Sequence, residues 1–227
     1  MRIKTRLQDL RFEDNVLHIG AAVSLARIAE YTLIEEKFPA LAQAAQAIGN
    51  PQVRQAGTIG GNLAAGFRGA DIPPALLVLD AEIVISGSDV EKLYPIEKLI
   101  QERLPAGHLI TAIKVSKKAN QRSAFRKFTW RRSSGKTIVN VAAALKVQNG
   151  RIMESRLAAG GINRARRLPE AERILDGQVV ADTVIAEAAR TAAQEVIANV
   201  SKPPTEKYRR KLIAAGFQQI LTEMTSI

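Results

Sequence analysis

In the segment QAGTIGGNLAAG (55–66), Gly57, Gly60 and Gly61 surround Thr58 and precede Asn62. Successive glycines let consecutive backbone N–H groups turn into one concavity, a nest that takes anions such as phosphate. A glycine loses more backbone freedom on folding than any other residue, so such a cluster must return something for its cost. The Thr58 hydroxyl and the Asn62 amide add neutral hydrogen-bonding groups suited to a diphosphate or a carbonyl. The spacing is not the G-x-G-x-x-G of a Rossmann turn, and no Gly-Lys-Ser/Thr follows as in a P-loop. On these residues alone two readings stand side by side: a phosphate-binding loop, and a tight turn beneath a packed helix.

Little else in the chain offers chemistry of its own. There is no cysteine, which removes disulfides, thiol nucleophiles and iron–sulfur ligation by this chain. The two histidines, His18 and His108, have no ligand or nucleophile partner nearby in sequence and read as structural. No catalytic residue and no metal-ligand set is therefore expected. Thirty-three Lys and Arg against 22 Asp and Glu give a formal charge of +11. That excess suits nucleic acid, an anionic cofactor or an acidic partner. The basic residues are densest in 114–132, 162–167 and 207–211, without a nucleic-acid motif or interleaved stacking aromatics. Solvated faces and an acidic partner subunit are thus expected, and no nucleic acid. No apolar run is long enough to span a bilayer, and MRIKTRLQDL carries no apolar signal core, so the expected location is the cytoplasm.

The elements that must position the glycine segment follow from local signals. NVLHIGAAV (15–23) reads as a strand, Ser24 as the N-cap of a helix over 25–31, and PALAQAAQAI (39–48) as a helix with Pro39 in its first turn. Pro73 and Pro74 open a short apolar helix, followed by strands at 81–86 and 108–116. SAFRKFTWR, TIVNVAAALKV and RIMESRLAAGG read as three antiparallel strands, the last two joined by a tight turn at Asn149–Gly150. Helices follow over LPEAERILDG, 182–200 and 205–224. The fold class is α+β, with a boundary in the polar stretch 117–121.

The ordered set VRQAGTIGGNLAAGFRGADIPPALLVLDAEIVI, SAFRKFTWRR and LAAGGINRARRLPEAERIL resembles the FAD-binding subunit of molybdenum hydroxylases. This is the family of xanthine dehydrogenase and the medium subunit of aerobic CO dehydrogenase, and the resemblance covers nearly the whole chain. It implies a PCMH-type FAD-binding domain over 1–118 and a CO-dehydrogenase-flavoprotein-like C-terminal domain over 119–227, with a three-stranded antiparallel sheet and helices. It further implies that Thr58, Ile59, Gly60, Gly61 and Asn62 line the FAD diphosphate and the cavity near the flavin. Asp71 would hold the adenosine or ribose part, and Ile48 would cover the cofactor. Leu109 and Ile110 would contact the flavin ring, and Lys127 would stand near the cofactor. Each has a plainer reading: Asp71 as a helix N-cap, Lys127 as a solvated strand residue, and Leu109 and Ile110 as core.

The implied function is electron transfer within an oxidoreductase. A partner subunit holds the molybdenum cofactor, another holds iron–sulfur clusters, and FAD passes electrons to NAD or another acceptor. Two departures stand out. Arg68 occupies a loop where family members commonly carry Ser-Pro, and a second glycine loop of the form AGGTD, which wraps the other side of the diphosphate in the family, is not found in 1–227. A fragment, a loop supplied by another polypeptide, and an FAD-deficient structural subunit are the three alternatives. Each charge-assisted hydrogen bond contributes about 1.5–3 kcal/mol, so half a cradle is expected to hold FAD poorly by itself.

Overall fold

Ile113 sits at the middle of a five-stranded antiparallel sheet, with Ile19 beside it on one neighbouring strand and Ile83 on the other, all three fully buried. The structure is a computed structural model that describes residues 7–87, 91–130, 136–161, 164–197 and 205–226. Arg131 and Arg132 of the SAFRKFTWRR motif, Ile162 and Asn163, and the segment 1–6 lie outside the described residues. The first sheet has the order β1 (Leu10–Glu13), β2 (Val16–Gly20), β5 (Leu109–Ser116), β3 (Glu82–Ser86), β4 (Glu91–Pro95). The first strand was not expected. Asp14 and Asn15 both adopt positive φ, 50° and 61°, and fold Leu10–Glu13 back onto Val16–Gly20 as a two-residue hairpin.

Short helices fill the space between β2 and β3. Ser24 caps α1 (Leu25–Glu30), its hydroxyl accepting from the amide of Arg27. Next come α2 (Thr32–Lys37) and α3 (Pro39–Gln46), the latter with Pro39 in its first turn and a buried alanine face. Two six-residue helices then run through the region that the sequence reading left without elements. In α4 (Pro51–Ala56) the Asn50 side chain accepts from the amide of Val53; in α5 (Ile59–Ala64) the Thr58 side chain accepts from that of Gly61. The proline-opened helix α6 (Ile72–Val78) is almost wholly buried, and α7 (Ile96–Glu102) follows β4.

The change of sheet falls between Ser116 and Gln121. The second sheet has the order β6 (Gln121–Thr129), β7 (Thr137–Gln148), β8 (Arg151–Gly160), β9 (Arg166–Arg167). The three expected strands are joined by this two-residue fourth strand. Asn149 and Gly150, with φ of 52° and 70°, make the turn between β7 and β8. Because β7 is covered on both faces, it reads as a continuous apolar run rather than an alternation. Val141, Ala143 and Leu145 face α8 (Pro169–Leu175), α9 (Asp182–Ile197) and α10 (Thr205–Thr225), whereas Ala142 and Ala144 join the core of the first half. The small side chains on that second face let α3 and α6 approach the sheet closely. Among the described residues, no helix is long and apolar enough to cross a membrane.

Two polar clamps tie the halves together. Asp80, on the turn before β3, meets Lys118 at 2.6 Å, Arg167 at 3.1 Å and Arg156 at 3.4 Å. Asp71 meets Lys127 on β6 at 2.6 Å in a buried setting.

Candidate functional site

Thr58, Gly60, Gly61, Leu109 and Ile110, drawn from two distant parts of the sequence, line one open groove of about 300 Å³. Leu7, Ala21, Ala22, Ala64, Leu104 and Thr111 complete its walls. The groove is mostly apolar, and Leu109 stands 71% exposed on its rim. An exposed leucine beside side-chain-free backbone is a surface for a flat, weakly polar ring. The alternative of Leu109 as a core residue is excluded by that exposure, whereas Ile110 is buried.

The glycines act differently from the anion nest that the sequence suggested. Neither Gly60 nor Gly61 has positive φ. The amides of this segment are used within the fold: Ile59 donates to the carbonyl of Val23 at 3.1 Å, Gly60 to that of Ala21 at 2.9 Å, Gly61 to the Thr58 hydroxyl at 3.1 Å and Asn62 to the Thr58 carbonyl at 2.9 Å. No concavity of converging free N–H groups results. Gly60 is required for packing instead. A Cβ there would lie 2.6 Å from the Ala21 Cβ and 2.8 Å from its carbonyl oxygen. A Cβ on Gly61 would meet the Thr58 hydroxyl at 3.0 Å and nothing else within 4 Å, so this glycine opens onto the groove. Ile59 points into the core and is fully buried, so it supports the groove through packing.

Asn62 carries the polar signal. Its side-chain oxygen is buried and has no hydrogen-bond partner among the described residues. An unmet buried acceptor costs about 1–3 kcal/mol, and a ligand donor would relieve it. The groove thus fits the ring portion of FAD, which offers apolar faces and a polar edge. Gly61, Leu109 and Ile110 would hold the faces, and Thr58 would offer a polar contact; Asn62 follows Gly61 but does not itself line the groove.

The other three residues singled out from sequence gather elsewhere. Lys127 Nζ donates to Asp71 at 2.6 Å and to the carbonyl of Ala47 at 2.9 Å, next to Ile48 at the end of α3. Asp71 also accepts from Asn140 at 2.8 Å and from the Thr137 hydroxyl at 3.4 Å. Burial raises the Asp71 carboxyl above its ordinary range, opposed by the Lys127 charge and by hydrogen bonds from Lys127, Asn140 and Thr137. Asp71 precedes α6 but makes no side-chain cap bond. Lys127 is no solvated strand residue, its side chain being 13% exposed. Asp71 and Lys127 do not line the groove; they satisfy one another. The sequence reading missed Asn140 and Thr137, although a lone asparagine inside TIVNVAAALKV was a signal for a buried polar partner. His18 and His108 lie apart from the groove, and no cluster of three metal-ligating side chains occurs among the described residues.

A family model described as the FAD binding domain in molybdopterin dehydrogenase matches residues 3–117, and one described as the CO dehydrogenase flavoprotein C-terminal domain matches residues 123–224. The 6-hydroxypseudooxynicotine dehydrogenase complex subunit alpha of Paenarthrobacter nicotinovorans is 29% identical over 225 residues, covering 96% of this chain and 75% of that protein. The xanthine dehydrogenase FAD-binding subunit of Escherichia coli O157:H7 is 25% identical, with 93% and 75% covered. Among solved structures, quinoline 2-oxidoreductase from Pseudomonas putida 86 superposes with a TM-score of 0.87 at 23% identity, over 97% of this chain and 79% of that one. Carbon monoxide dehydrogenase from Hydrogenophaga pseudoflava gives 0.84 at 24% identity, over 95% and 77%.

Proposed function

We propose that this chain, which belongs to the family of FAD-binding domains of molybdopterin dehydrogenases, seats the flavin ring of FAD in the groove between α5 and β5 and works as an electron-transfer subunit. The similar proteins are dehydrogenase and oxidoreductase subunits. By that kinship the complex holds its molybdenum cofactor and its iron–sulfur clusters on partner chains; this chain has no cysteine to ligate a cluster. When bound, FAD supplies the chemistry, taking electrons from the clusters and passing them to NAD or another acceptor. The chain's own part is to bind and orient. Gly61 admits the ring, Leu109 and Ile110 cover its apolar surface and exclude water, and Thr58 stands at its polar edge.

The observation that carries this reading is the exposed Leu109 brought beside Gly61 and Thr58 in one apolar groove. Flavin absorbance of the purified chain, alone and mixed with the subunits encoded beside it, tests the reading. Stoichiometric flavin in either sample supports it, and no flavin in any combination overturns it. Co-purification from the native source with iron and molybdenum analysis tests the assembly.

A second reading, an FAD-deficient structural subunit, is favoured by one observation: the amides of Ile59, Gly60, Gly61 and Asn62 are all used within the fold and leave the diphosphate without these donors. Under that reading the groove stays flavin-free even in the complete complex.

A further inference from the structure

Beyond the groove, on the far side of Ala64 and Leu104, lies a small chamber of about 120 Å³ that includes Leu63, Phe67, Pro73 and Leu99 in its wall. The chamber opens into a cleft of about 480 Å³ between the two halves of the molecule. Arg68, Arg103, Arg164 and Arg166 line this cleft, and among the described residues no carboxylate does. We propose that the cleft is a site for a diphosphate-bearing ligand, held by these four guanidinium groups.

The four come from three separate elements. Arg68 follows α5, Arg103 ends α7, and Arg164 and Arg166 enter β9. Two are fixed by neutral acceptors, which orient a guanidinium without cancelling its charge. Arg164 donates to the carbonyls of Ile100, at 3.1 Å, and of Gln101, and so caps the C-terminal end of α7. Arg166 donates to the carbonyl of Glu195, and its Nε is buried with no partner among the described residues. The nearby carboxylates are turned to other groups. Glu195 accepts from the amides of Glu170 and Ala171 at 3.2 and 3.3 Å and feels the Arg166 charge without forming an ion pair with it, and Asp80 is held by Lys118, Arg156 and Arg167. Arg68 and Arg103 are exposed and form no ion pair among the described residues.

Arg103 adds a separate mark. Its φ of 68° and ψ of 169° fall in a region that glycine enters freely and other residues do so only under strain. The chain keeps an arginine there, with its side chain on the cleft. Planar guanidinium forks match phosphoryl oxygens two at a time, so four around one cavity suit two linked phosphates better than one. The adjoining apolar chamber suits the ring system that a nucleoside diphosphate carries. A flat acidic protein surface would use neither the chamber nor the concavity.

The shared chemistry has two sources, the cofactor's own diphosphate and that of a second nucleotide. Assigning the source rests on the flavin reading of the neighbouring groove; the anion site itself does not. Calorimetric titration of the flavin-free chain with inorganic pyrophosphate, against sulfate at equal ionic strength, tests it. Pyrophosphate is expected to bind, and Arg68→Ala with Arg103→Ala to weaken it at least tenfold. Both side chains are exposed, and circular dichroism checks that the fold is kept. Arg190→Ala on α9 is the control, expected to change nothing. Equal affinity in the parent and the double variant, or pyrophosphate binding no tighter than sulfate, overturns the proposal. Repeating the titration on FAD-loaded protein separates the sources. Loss of pyrophosphate binding assigns the site to the cofactor, and retained binding assigns it to a second nucleotide. A chain that takes up no flavin defeats the flavin reading, and the flavin-free titration still decides the anion site.

Discussion

Asp71 and Lys127 stand 56 positions apart in sequence and 2.6 Å apart in space, with side chains 4% and 13% exposed, and they join α6 to the first strand of the second sheet. A buried pair of this kind contributes little net stability over an apolar pair, but removing one partner strands a charge in the interior.

That asymmetry predicts a pH-dependent defect. Burial already raises the Asp71 carboxyl above its ordinary value of 3.8, against the opposing Lys127 charge and its hydrogen bonds. The folded protein therefore holds this proton more tightly than the unfolded chain. Its contribution is fully present below pH 3.8 and is lost as pH rises through the folded value. Lys127→Met removes the chief opposing charge and drives the carboxyl further up. The variant should lose about 3–5 kcal/mol near neutral pH and recover part of that loss near pH 4. Adding Asp71→Asn should restore stability at both. Urea denaturation of the three proteins at the two pH values is the check, and a pH-independent loss would contradict it.

The two adjacent glycines should respond in opposite ways. Gly60→Ala places a methyl 2.6 Å from the Ala21 Cβ and 2.8 Å from its carbonyl, and backbone on both sides must shift. Overpacking of this kind costs about 1–3 kcal/mol. Gly61→Ala meets one hydroxyl, at an ordinary helical φ, and gains up to about 1 kcal/mol of helix propensity. It should fold as well as the parent and lose flavin, because the methyl fills the groove. Thermal midpoints and bound-flavin absorbance distinguish the two effects.

Where a single residue sets the local backbone, the sequence was readable. Ser24 as an N-cap and Asn149–Gly150 as a hairpin turn are as expected, and Gly177, with φ of 79°, ends the LPEAERILDG helix just past α8. Asp14–Asn15 makes the same kind of turn without a glycine, and the strand before it was missed for that reason. The helices α4 and α5 have six residues each, too short for an apolar period, and their caps Asn50 and Thr58 were the available clue. The glycines stood out by their clustering, and Leu109 and Ile110 through the resemblance, but their meeting depends on β5 pairing centrally in the first sheet. The arginine cleft was not legible, because its members come from separate elements and only the packing of the two halves brings them together.

The basic surface predicts weak, nonspecific attraction to nucleic acid. The three dense Lys and Arg runs fall on separate elements rather than along one groove-reading helix. Fluorescence polarisation with DNA and RNA should show binding that falls steeply with salt and does not discriminate sequence. Tight, sequence-selective binding at physiological salt would overturn the reading that these runs form no nucleic-acid surface.

Asn62 provides the most direct test of the groove. Its side-chain oxygen is buried without a partner, a cost of about 1–3 kcal/mol that the flavin-free chain carries continuously. Asn62→Leu has nearly the same size and removes the unmet acceptor. If flavin does not use that oxygen, the substitution should stabilise the chain and leave flavin affinity unchanged. If it accepts from the ring's polar edge, two changes should appear together. The flavin-free protein should become more stable, by roughly 1 kcal/mol or more, and flavin affinity should fall about tenfold, the equivalent of one hydrogen bond of about 1.4 kcal/mol. Adding FAD should then stabilise the parent more than the variant, since a ligand that binds the folded state alone stabilises it in proportion to its affinity. Denaturation curves with and without FAD, on both proteins, measure all three quantities. A variant that gains stability and keeps full flavin affinity would show that the ring does not reach Asn62, and would move the flavin away from this end of the groove.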